Sequence, residues 1–137
     1  MMQFNPLIPE LSVSDFEKSL SFYTSILGFH IEYQRPERQF AFISYQACQV
    51  MIEQENPTWK TGPLEYPYGR GINFQIEVDK IDPLLQSLQQ HGYPLFIEPK
   101  ESWYRKDETL LGMREFLVMD PDGYVLRFSQ YLGEKPL

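Results

Sequence analysis

The chain writes one pattern twice, and that repeat limits its fold more than any other feature. Gly28 lies fifteen residues after Val13, and Gly92 lies fourteen after Val78. Each run starts at the end of an alternating segment, passes through an amphipathic stretch and closes on a glycine-aromatic pair, Gly28-Phe29 and Gly92-Tyr93. Downstream, "FAFISYQACQVMIE" aligns with "EFLVMDPDGYVLRF". Each copy reads as strand, helix, three strands. A helix covers one face of its sheet, so the other face must be buried by the second copy, a partner chain or a ligand. The expected architecture is α+β, with paired βαβββ modules forming curved mixed sheets around a cup.

The elements follow from periodicity. Residues 7–13, "LIPELSV", alternate as a half-buried strand. Ser14 or Asp15 caps a helix in which Phe16, Leu20, Tyr23 and Leu27 recur at helical spacing, and Gly28 ends it. Strands are expected at 29–35, 39–45 and 48–55. Residues 56–70 hold three prolines and form a connector between module one (1–55) and module two (71–137) of a single domain. "INFQIEV" alternates again, and Asp79 or Asp82 caps a helix running to His91, with Pro83 early in it. Strands are expected at 94–98, 113–119 and 124–131, with "ESWYRKDETLLG" as a long loop.

The chain has 137 residues, 42% hydrophobic and 15% aromatic, enough for a sizeable core. No apolar run is long enough for a transmembrane helix. The N-terminal "MMQFNPLIPELS" lacks a basic region followed by an apolar stretch, so a cytoplasmic protein is expected. Cys48 is the only cysteine, which excludes an internal disulfide and a thiolate metal cluster. Nineteen acidic against twelve basic residues give a net charge of −7. That balance disfavours nucleic acid and attracts cationic small molecules.

"PELSVSDFEKSLSFYTSILGF" and "MREFLVMDPDGYVLRFSQ" resemble the vicinal oxygen chelate superfamily, within it the glyoxalase/bleomycin-resistance group. The resemblance implies paired βαβββ modules, a homodimer and four metal-ligand positions in the metal-dependent members. Those positions fall here on Ile8, on Met51 or Glu53, on Asn73 and on Arg127. Ile8 has no donor atom, Asn73 is a weak neutral ligand, and Arg127 is a permanent cation that repels a metal. His30 opens a strand and His91 ends a helix, away from these positions. The expectation is a hollow without metal or cofactor.

Arg127 shares a strand face with Val125 and Ser129, opposite Leu126 and Phe128. It either meets an anionic or carbonyl group of a ligand or pairs with Glu10, Glu53 or Glu77. The resemblance places Tyr33 on an aromatic position that stacks on bleomycin in resistance proteins. It departs at Leu111, where those proteins usually carry tryptophan. Phe40, Trp59, Tyr66, Tyr68, Trp103 and Tyr104 supply further rings that stack on a flat ligand or seal the cup. The expected ligand-binding set is Tyr33, Phe40, Glu53, Asn73, Trp103, Tyr104, Arg105, Leu111 and Arg127. The expected function is metal-free sequestration of a flat or cationic, bleomycin-like small molecule in a dimer cleft. The alternatives are a metal-dependent lyase, isomerase or dioxygenase, and a metal-free enzyme using Glu10, Glu53 or Glu77 as base.

Overall fold

A computed structural model describes residues 2–137. The chain forms two compact units, one through Tyr68 and one from Gly69. Each carries one four-stranded mixed sheet, and neither sheet closes into a barrel. Among the described residues, no helix is long and apolar enough to cross a membrane.

In the N-terminal unit, strand β1 (Glu10–Val13) leads into helix α1 (Phe16–Ser21). The Asp15 carboxylate caps α1 by accepting from the Lys18 N–H at 3.2 Å. The helix then widens into a π turn at Phe22–Ile26, where the Leu27 N–H reaches the Phe22 carbonyl. Gly28 follows with φ of +86°, a conformation that glycine adopts without steric cost. Strands β2 (His30–Arg35), β3 (Phe40–Tyr45) and β4 (Cys48–Gln54) complete the sheet in the order β1-β4-β3-β2, with β1 parallel to β4. Leu11, Val13, Ile43, Val50 and Ile52 are buried with Phe16, Phe22 and Tyr23 of the helical segment. Burial on this scale contributes about 1.5–3 kcal/mol for each large apolar side chain. The strand expected at 7–13 is shorter than its alternation suggests, because pairing starts only at Glu10 opposite Met51.

In the C-terminal unit, β5 (Asn73–Glu77) precedes helix α2 (Asp82–Gln90). Neither aspartate occupies the N-cap position of α2. Ile81 is the N-cap, its side chain makes no capping bond, and its own N–H donates to Gln130 Oε1. Strands β6 (Ile97–Lys106), β7 (Thr109–Met119) and β8 (Val125–Pro136) give the order β5-β8-β7-β6. Phe116, Val118, Leu126 and Phe128 are buried with Ile81, Leu84 and Leu88. The expected loop "ESWYRKDETLLG" is instead the body of a β6–β7 hairpin, paired from Lys106↔Thr109 through Glu101↔Arg114. It turns at Asp107, whose φ is +53°.

Candidate functional site

The N-terminal unit holds a cleft of about 340 Å³ lined by Glu10, Arg35, Arg38, Phe40, Glu53 and Trp59. Strand register places most of them on one sheet face. Phe40 lies opposite both Arg35 and Glu53, and Tyr33 lies opposite Phe42. A 3-10 turn at Pro36–Arg38 and a left-handed Gln39, with φ of +48°, bring Arg38 back over the sheet. Its Nε donates to Glu53 Oε1 at 3.1 Å, and Trp59 Nε1 donates to Glu53 Oε2 at 3.1 Å. Glu53 is only 4% exposed, so its charge is offset by these two donors. Trp59, fixed by this bond, remains 58% exposed.

Arg35 is held differently. Its guanidinium lies 4.5 Å from the Phe40 ring centre and 5.5 Å from that of Tyr33. None of the ion pairs among the described residues includes it. The Glu10 carboxyl is pushed above its ordinary value by partial burial and then by Glu53, against the pull of Arg35 and Arg38.

In the C-terminal unit, Arg127 stands opposite Gln75 and Leu117. Its Nη2 donates to Gln75 Oε1 at 2.7 Å, while its buried Nε has no partner. No ion pair among the described residues includes Arg127. Beside it on the sheet is Glu115, which sequence reasoning passed over. Glu115 is 3% exposed and accepts hydrogen bonds from the hydroxyls of Tyr104 and Ser129. The bond to Glu115, followed by burial, raises the Tyr104 phenol above its ordinary value. The charge inside the apolar run "MREFLVM" was the available signal for Glu115.

The remaining expected site residues are dispersed on the hairpin and on β5. Trp103 lies across Gly112, its indole N–H donates to Glu101, and the Lys135 ammonium sits 4.0 Å from its ring centre. Arg105 is exposed and donates to the Asp107 carbonyl. Leu111 is the cross-strand partner of Tyr104. Asn73 is exposed at the start of β5, opposite Val125. Thus Tyr33, Phe40 and Glu53 come together in one unit, and Tyr104 and Arg127 come near Glu115 in the other.

The donor positions can be tested for a metal unit by unit. Pairing of β1 with β4 sets Glu10 opposite Met51, as pairing of β5 with β8 sets Gln75 opposite Arg127. Met51 is therefore the counterpart of Arg127, and Ile8 that of Asn73. A thioether with an aliphatic carbon in one unit, and an amide with a guanidinium in the other, do not fit a hard divalent ion. The nearby carboxylate Glu53 is already engaged by Arg38 and Trp59. Among the described residues, no group of three histidine, cysteine or acidic side chains is arranged to hold a metal.

The family model for the glyoxalase/bleomycin resistance protein/dioxygenase superfamily matches residues 4–128. A bleomycin resistance protein of Geobacillus stearothermophilus is 29% identical over 138 residues, covering 91% of this chain and 96% of that protein. A probable lactoylglutathione lyase of Synechocystis is 27% identical over 132 residues, covering 91% and 94%. The crystal structure of a glyoxalase/bleomycin resistance protein/dioxygenase from Alicyclobacillus acidocaldarius shares the fold, with a TM-score of 0.66 at 19% identity over 94% of this chain and 92% of that one. Repeat, sheet order and sequence match agree: the chain belongs to the glyoxalase/bleomycin resistance protein/dioxygenase superfamily.

Proposed function

We propose that this protein is a metal-free small-molecule binding protein of the bleomycin-resistance type, acting in the cytoplasm as a homodimer that sequesters a flat or cationic ligand. The observation that carries the reading is the identity and engagement of Arg127. A fixed cation, tethered to Gln75, occupies the position at which the family resemblance implies a carboxylate in metal-dependent members. A guanidinium about 4 Å from a divalent ion would cost several kcal/mol even with moderate screening. The relatedness to bleomycin resistance proteins supports a flat or cationic ligand, and the exposed Trp59 in the cleft supports a stacked flat ring.

Two measurements on the purified full chain test this reading. Elemental analysis should find no stoichiometric divalent metal, and calorimetric titration with metal-free bleomycin should show saturable binding. Replacing Trp59 by Ala should weaken that binding about tenfold, the loss of one stacked ring. Stoichiometric nickel, zinc, manganese or iron would overturn the metal-free reading. No heat from bleomycin would overturn the sequestration of that class of ligand.

A further inference from the structure

The cleft of the N-terminal unit contains four charged groups, and they are not equivalent. Glu53 and Arg38 satisfy each other, and Trp59 takes the second Glu53 oxygen. Among the described residues, Arg35 and Glu10 are the cleft groups without an ion-pair partner. Arg35 is exposed, its guanidinium rests over Phe40 and Tyr33, and none of the ion pairs among the described residues engages it. The planar guanidinium fork is preorganised for two parallel bonds to a carboxylate-like group. With Arg38 and Glu53 paired, the charges left to an incoming group in this cleft are Arg35 and Glu10. The exposed Trp59 indole, locked by its bond to Glu53, offers a ring surface in the same cleft.

We propose that this cleft binds a planar aromatic group bearing a carboxylate, with the ring against Trp59 and the two oxygens on the edge of Arg35. The inference rests on the small-molecule binding reading and adds to it the chemistry of one ligand group. It also assigns Arg35 and Trp59 as specificity-determining residues. Glu10 then acts as a proton-dependent gate. Charged, it opposes the incoming carboxylate; protonated, it can donate to it. The groups facing Glu10 are Glu53 from β4, Arg35 from β2 and Arg38 from the 3-10 turn.

The test is calorimetric titration of the full chain with 1-naphthoate, its uncharged analogue 1-naphthamide and the cationic 1-naphthylmethylamine. Naphthoate should bind more tightly than either analogue. Arg35→Gln should weaken naphthoate about tenfold and leave naphthamide within about twofold. Arg35→Lys should recover only part of the loss, because a point charge replaces the planar fork. Naphthoate affinity should rise as pH falls through the Glu10 titration, and Glu10→Gln should flatten that dependence. Thermal unfolding of each variant checks that the fold is intact. Tighter binding of the amine, an unchanged affinity in Arg35→Gln, or no binding of any probe would overturn the proposal. Naphthoate failing while bleomycin binds would remove this inference alone. Bleomycin failing while naphthoate binds would remove the bleomycin-type reading alone.

Discussion

Glu10 shows how one residue links the cleft to stability. Partial burial and the neighbouring Glu53 raise its carboxyl above the ordinary value, so the folded protein disfavours its charged form. Its favourable contribution is complete below the unfolded-state value of 4.5 and is lost as pH rises through the higher folded-state value. Replacing Glu10 by Gln should therefore raise the melting temperature at neutral pH, and the gain should shrink toward zero in acid. The group is largely exposed and screened, so the gain should stay under about 1 kcal/mol. A lower melting temperature for Glu10→Gln at neutral pH would contradict this account. Parts of this site were legible in the sequence. Alternation put Glu10 and Glu53 on open sheet faces, and the aromatic count marked Tyr33, Phe40 and Trp59. The Arg38–Glu53–Trp59 set was not legible, because it depends on a left-handed Gln39 that folds Arg38 back over the sheet. Glu115 is hidden for a related reason: its donor Tyr104 lies in a stretch whose sequence resembles a loop but which forms strand β6.

The β6–β7 hairpin carries the main lesson at the scale of elements. Trp103 and Gly112 are cross-strand partners, and a Cβ on Gly112 would come within 2.5 Å of the Trp103 ring. Glycine is required there by the indole lying across it, since the position carries no left-handed φ. Gly112→Ala should cost about 1–3 kcal/mol in chemical unfolding, the usual scale for overpacking. In a Trp103→Ala background the same substitution should cost little, so the two changes should be strongly non-additive. Additive costs would mean that Trp103 does not press on Gly112. Periodicity located both helices, β2 to β5 and the start of β8 within a few residues, because each buries one face against its unit's core. It failed on β6 because an edge strand with one neighbour exposes most of its side chains, and "KESWYRK" shows no alternation of apolar and polar residues. The extension of β7 and β8 followed the same hairpin and was hidden for the same reason.

At the scale of the whole molecule, the proposed homodimer sets apolar burial against charge. The C-terminal unit leaves Phe96, Ile97, Tyr131 and Leu132 exposed by 56%, 38%, 49% and 37%. Burying exposed apolar side chains of this kind between copies would favour association. Each chain carries −7, so pairing two copies brings like charges together. Apolar burial depends little on moderate salt, whereas this repulsion is screened over about 8 Å at physiological ionic strength. Sedimentation at micromolar concentration should therefore give a species of about 33 kDa, twice the 16.3 kDa chain, and the dimer should tighten as salt is raised from low levels. Replacing Leu132 by Glu should shift the equilibrium toward the monomer, and more so at low salt, because it removes apolar area and adds to the repulsion. A 16.3 kDa species at every salt concentration would exclude the dimer. A dimer that loosens with added salt would mean that ion pairs rather than apolar contacts hold it together.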